Sequence, residues 1–145
     1  MKNKLCIGLA FLLAIMLMGC TPDREAMEKE VIEKEAIEKE KQIKSQVDEV
    51  VTAIDGGKKA EDFKNLATDP HNYVFIMDQS GKFLIHPAWK SLSQSDKGYI
   101  KIVNATTEGI WYEYWSYLDI WKRFYVKKTK DGLFVGSGYY PRKHH

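Results

Sequence analysis

Cysteine is nearly absent from this chain: the 145 residues hold two, Cys6 and Cys20, both within the first 20 positions. The remainder has no disulfide to stabilise it and no free thiol for nucleophilic chemistry. Histidine is scarce as well, at His71, His86, His144 and His145, and no set of His, Cys, Asp or Glu carries metal-ligand spacing. No metal or other cofactor is expected. A Gly-rich phosphate loop is also missing. Gly136-Ser137-Gly138 has the residues of a nucleophile elbow but lies in a terminal strand rather than at a strand-to-helix turn. The expectation is therefore a protein that is not an enzyme. An excess of one charge is lacking too: Lys plus Arg number 22 against 20 Asp plus Glu, a formal +2. That argues against a dedicated nucleic-acid binder. Finally, no apolar run reaches the ~20 residues that a membrane-spanning helix needs.

What is present begins with a targeting signal. Lys2 and Lys4 form a basic start, and Leu5 to Met18 is apolar and uncharged, the layout of a secretory signal. The run closes on Leu17-Met18-Gly19-Cys20. This resembles the lipobox of bacterial lipoproteins, with Met18 larger than the usual residue. The resemblance implies a signal peptide over 1–19, cleaved before a diacylated Cys20, and a domain held outside the cytoplasm in the cell envelope. Thr21 in place of Asp is compatible with transfer to the outer membrane of a Gram-negative host. Several acyl chains give firm attachment without spanning the bilayer. Alternatives are a plain signal peptide or an uncleaved anchor.

Residues 26–40 repeat AMEKE, VIEKE, AIEKE, and Glu25–Lys29, Glu30–Lys34, Glu35–Lys39 and Glu40–Lys44 stand at i, i+4. A five-residue step advances about 500° around a helix, so Met27, Ile32 and Ile37 fall on three faces and form no stripe to bury. Residues 20–42 thus read as a lipidated cysteine and a solvated helical stalk, whose residues 23–42 would span roughly 30 Å at 1.5 Å each. The competing reading is a homodimer through this N-terminal helix, although a coiled coil wants a repeat near 3.5. From Ile43 the pattern changes. Ile43, Val47, Val50, Val51 and Ile54 lie at i, i+4, i+7, i+8 and i+11, one apolar face that must pack on something. Asp55-Gly56-Gly57 stops it, and Ala60–Leu66 reads as a second short helix.

Beyond Asn72 the signals turn to strand. Tyr73–Asp78, Phe83–His86, Ile110–Tyr117, Lys122–Lys128 and Leu133–Tyr139 form five short antiparallel candidates. Asp78-Gln79-Ser80-Gly81 and Lys130-Asp131-Gly132 read as turns. Tyr99–Thr107 could be helix or strand. The fold class is α+β: a long N-terminal helix packed on a five-stranded antiparallel sheet. The strand Ile110–Tyr117 carries large rings at both odd and even positions, so neither of its faces is wet. One face can meet the helix through Ile43–Ile54. The other would be covered by residues 88–109 or line a cavity, for which Tyr and Trp suit the walls.

The order of these pieces resembles the single Cache domain, an extracytoplasmic PAS-like sensor module. The likeness rests on Tyr73–Pro87 with its Asp78-x-x-Gly81 turn and His86-Pro87 end, on Gly109-Ile-Trp111-Tyr-Glu-Tyr114-Trp115, and on Lys122-Arg-Phe-Tyr125-Val126 with Gly136-Ser137-Gly138-Tyr139. It covers about 43–140 and leaves a basic tail at 141–145. The segment between Pro87 and Gly109 is shorter than the family's, and Leu118–Trp121 lacks its Pro/Gly-rich insert. The resemblance implies a small-molecule ligand, a carboxylate or amino acid, held between the sheet and the segment over it. It nominates His86, Trp111, Tyr114, Lys122, Arg123 and Tyr125. Lys122 and Arg123 point to opposite faces of a strand, so only one can meet a given pocket. His86 can equally cap the strand end. With no output module after the domain, signalling would run through a separate membrane sensor protein. The alternative is an envelope structural or protein-interaction module whose pocket is filled by its own aromatics. Residues 21–68 hold 13 acidic against 9 basic residues, net −4, and residues 69–145 hold 7 against 11, net +4. The sheet half could thus meet acidic ligands or anionic envelope polymers.

Overall fold

A computed structural model describes residues 24–69, 73–115 and 121–141, with the side chain of Tyr114 excepted. The signal, the lipobox and Cys20 lie outside these residues, as does most of the basic tail. Helix α1 runs Arg24–Asp55. The chain divides between Lys34 and Glu35 into two units. In the first, Met27 and Val31 are more than half exposed, and Lys34 pairs with Glu30 at 2.7 Å in full solvent, a contact that adds only a few tenths of a kcal/mol.

In the second unit, the five apolar residues Ile43, Val47, Val50, Val51 and Ile54 are all buried. Gly57, at φ 101°, ends α1, with Lys58 N donating to Ala53 O at 3.0 Å as in a glycine-terminated helix. A 3-10 helix, Ala60–Ala67, follows where the sequence predicts a short helix. Strands β1 (Val74–Met77), β2 (Phe83–Ile85), β3 (Ile110–Trp115), β4 (Trp121–Lys128) and β5 (Phe134–Tyr139) come next, with helix α2 (Lys97–Val103) between β2 and β3. Helix wins over strand for the ambiguous segment, but two residues earlier than Tyr99. Tyr99, Ile102 and Val103 stand at i, i+3 and i+4, and all three pack into one cluster.

The sheet is antiparallel throughout, in the order β2-β1-β5-β4-β3. The first and last strands in sequence therefore lie side by side at its centre, with Val74 opposite Ser137 and Met77 opposite Phe134. Asp78 builds the β1–β2 turn: its Oδ1 accepts from Ser80 N, Ser80 Oγ and Lys82 N. These bonds favour the carboxylate, so its pKa is lowered. Gly81, at φ 91°, completes it. In the β4–β5 turn Thr129 N donates to Leu133 O at 2.8 Å, and Asp55 accepts from Lys130 N at 2.9 Å, which ties the end of α1 to the hairpin.

The two faces bury different chemistry. Against α1 lie Val74, Ile76, Ile85, Tyr125 and Val135. Against α2 lie Tyr73, Phe75, Met77, Phe124, Val126 and Phe134, packed with Ile102 and Ala105. A register shift between Ile76 and Met77 in the β1–β2 pair keeps Ile85 on the first face and Phe83 on the second.

Candidate functional site

Strand alternation settles which of two adjacent cations meets α1. Arg123 faces the helix. Its Nε stands 2.8 Å from Glu40 Oε1 as an ion pair without a directed hydrogen bond. Its Nη2 donates to Glu40 Oε2 at 3.3 Å, and its Nη1 pairs with Glu113. The guanidinium lies 5.3 Å from the Trp111 ring. Tyr139 donates to Glu40 at 3.0 Å, and burial first, then that carboxylate, push its pKa up to about 12. The Trp111 and Tyr125 rings meet at 5.3 Å, tilted by 47°. The Tyr125 hydroxyl donates to Glu108 O at 3.1 Å, on the spot that a Cβ at Gly109 (φ 80°) would fill. Trp111, Arg123 and Tyr125 are thus anchored between sheet and helix. The Glu40–Lys44 pair that the repeat suggests is replaced: Glu40 goes to Arg123, and Lys44 to Asp48 at 2.6 Å. Asp48 also takes Lys127 at 2.9 Å. Tertiary partners reach back to Glu40, inside the segment that the sequence reads as stalk.

The opposite face opens into a cavity of about 320 Å³, at the small end of ligand sites. Its floor is aromatic. Phe75 and Phe124 lie on the sheet where Gly136 and Gly138 leave room. A Cβ at Gly136 would come within 2.3 Å of the Phe75 ring, and one at Gly138 within 2.6 Å of Phe124 Cβ and of Arg123 O. The glycines of the closing strand are therefore needed for close approach. The outer wall is residues 86–102. It is held to the sheet by Phe83 N to Lys90 O at 2.9 Å and Leu92 N to Gly81 O at 2.8 Å. The Tyr99 hydroxyl donates to Gln79 O at 2.8 Å and the Lys101 ammonium to Glu113 O at 2.9 Å. Trp89, Trp115 and Tyr140 line the mouth and are each more than two-fifths exposed. Trp115 stacks on Trp121 across β3–β4 at 4.9 Å.

Two of the nominated residues meet in this cavity. Lys122 donates to the Tyr73 hydroxyl at 2.7 Å and lies over the Tyr73 and Tyr140 rings at 5.0 and 5.5 Å. Burial lowers its pKa, and among the described residues no carboxylate pairs with it. His86 lines the same space. Its Nδ1 accepts from Trp89 N at 2.8 Å and Ala88 N at 3.1 Å, so it does cap the strand end. Nε2 is then the nitrogen that carries the proton of the neutral ring. Burial, and secondarily the charge of Lys122, pull its pKa down from 6.5 to about 4. Tyr114 pairs through its backbone with Lys122 across β3–β4. The cavity thus unites His86 with Lys122 and leaves Trp111, Arg123 and Tyr125 on the other side of the sheet.

Sequence reasoning missed Tyr73, Asp96, Trp89, Trp115 and Tyr140, all on the cavity wall. The alternation that sets Lys122 with Phe124 could have pointed to Tyr73. Strand ends give no such signal for the mouth residues. Among the described residues no three His, Cys, Asp or Glu side chains gather to hold a metal ion, and no helix is long and apolar enough to cross a membrane.

No family model matches the chain, and no curated protein matches it. Among solved structures it is similar to a methyl-accepting chemotaxis protein from Vibrio parahaemolyticus RIMD 2210633, with a TM-score of 0.53 and 15% identity over 77% of this chain and 94% of that one. At that identity the likeness speaks for the fold. It agrees with the arrangement seen here, a long N-terminal helix on a five-stranded antiparallel sheet.

Proposed function

We propose that the domain is a sensor-type binding module for a small carboxylate or similar anion, anchored outside the cytoplasm through lipid on Cys20 and read by a separate signalling partner. The observation that carries the ligand reading is the ammonium of Lys122. It is half-buried in an aromatic cavity and bonded to a neutral hydroxyl, and no described carboxylate pairs with it. A cation in such a place is costly unless an anion meets it. An ammonium has three donors, and Tyr73 occupies one of them. The Tyr73 hydroxyl accepts from Lys122, which leaves its own proton for the same anion. The open volume favours this reading over a pocket filled by its own rings.

The test is a thermal-shift screen of the protein against small carboxylates, amino acids and nucleobases. A stabilising carboxylate whose effect disappears in Lys122→Met supports the reading. Equal shifts in both proteins overturn it. For the anchor, Cys20→Ser should leave an unprocessed or soluble form, and unchanged membrane attachment would refute the lipid.

A further inference from the structure

The same cavity carries a finer statement about its ligand, one that rests on the anion reading above. Among the described residues three charged side chains line it: Lys122, Asp96 and Lys97. Asp96 and Lys97 are adjacent and exposed at the start of α2, and their charges offset one another. His86, with its pKa near 4, adds none at neutral pH. One net positive charge remains, and it sits where burial is greatest. An ion with two negative charges would find one buried cation, Lys122, and for its second charge only Lys97, which Asp96 already offsets.

Most of the rest of the wall is aromatic, with Leu92 and Ile102 its aliphatic members. Phe75 and Phe124 are held down on the sheet by Gly136 and Gly138. Phe83 meets Phe75 edge-on at 5.7 Å and 86°, and lies 4.6 Å from the His86 ring. Such faces favour an offset or edge-on ring over a flexible aliphatic chain. We infer that the cavity selects a planar, single-ring monocarboxylate, its carboxylate on Lys122 and Tyr73 and its ring against Phe75, Phe83 and Phe124.

The experiment is a calorimetric titration of the full chain with benzoate, acetate, phthalate and benzamide at neutral pH. Benzoate should bind at least tenfold more tightly than each of the others. The neutral amide loses the charge-assisted bond, which is worth about tenfold to a hundredfold. Acetate loses the ring contacts, and phthalate adds an unmatched charge. Asp96→Asn, which leaves Lys97 without its offset, should tighten phthalate by a few fold and benzoate by less, narrowing the gap between them, since an exposed charge acts weakly. Gly136→Ala, which drives Phe75 upward, should weaken benzoate more than acetate, with melting measured in parallel to confirm folding.

Acetate or phthalate binding as well as benzoate, with all lost in Lys122→Met, overturns the ring and single-charge selection and leaves the anion reading intact. Benzamide binding as well as benzoate overturns both. Absence of any binding by the folded protein also overturns both.

Discussion

The two faces of one sheet are built from the same strands and do opposite things. Toward α1 the sheet presents Val74, Ile76 and Val135, which pack with Ile43 and Val47 of the helix, each of the five at 1% exposure or less. Its cation, Arg123, is held by Glu40 and Glu113. Toward α2 it presents rings, glycines and a gap, and among the described residues its cation, Lys122, meets a hydroxyl and two π-faces but no carboxylate. Lys122 and Arg123 are neighbours in β4, so a single step along a strand separates a structural charge from a candidate binding charge. A closed face makes the fold stable, and an incompletely filled one leaves room for a ligand.

The difference can be broken most strongly on the closed face. Ile76→Ala should cost about 2–5 kcal/mol of stability, because the site is fully buried and packed on both sides. Urea denaturation measures it, and a loss below 1 kcal/mol would mean the α1 face is looser than described. Next, Arg123→Met should cost about 1 kcal/mol, since it removes the cation between Glu40 and Glu113 while Glu40 keeps the Tyr139 hydroxyl, and ligand binding stays within a few fold. Gly109→Ala should cost a similar amount. It forces an L-residue to φ 80° and drives its Cβ into the Tyr125 hydroxyl. On the open face Lys122→Met should change stability by under about 1 kcal/mol, and can raise it, because it removes a cation that burial disfavours.

A further expected effect is pH dependence. His86 is neutral in the fold, with a pKa of about 4 against its ordinary 6.5. Between those values the unfolded chain binds the proton more readily, so stability falls as pH drops from about 6.5 toward 4 and is flat in this respect above. His86→Asn keeps an acceptor for the Ala88 and Trp89 amides and should flatten that part of an acid titration followed by melting temperature. An unchanged slope would mean that His86 is not the group responsible.

Legibility in the sequence followed the same division. The α1 face was readable because five aliphatic residues repeat at helical spacing and nothing else competes; all five are buried. The turns were readable because Asp78, Gly81 and Gly132 have local reasons to be where they are. The cavity was not readable residue by residue. In β3 and β4 both alternations carry rings, so periodicity cannot say whether Tyr125 or Phe124 meets the helix, or whether Lys122 or Arg123 does. The deciding fact is long-range: Glu40, 83 residues before Arg123 in sequence, reaches it across the α1–sheet contact. Residues 86–102 were opaque because they are held by backbone bonds to Gly81 and Phe83, which leave no mark on side-chain pattern.

The most direct measurement is a side-by-side calorimetric titration of the protein, Lys122→Met and Arg123→Met with benzoate. The account predicts binding by the parent and by Arg123→Met within a few fold, with binding lost in Lys122→Met. Loss in Arg123→Met with retention in Lys122→Met would place the site on the α1 face and contradict it.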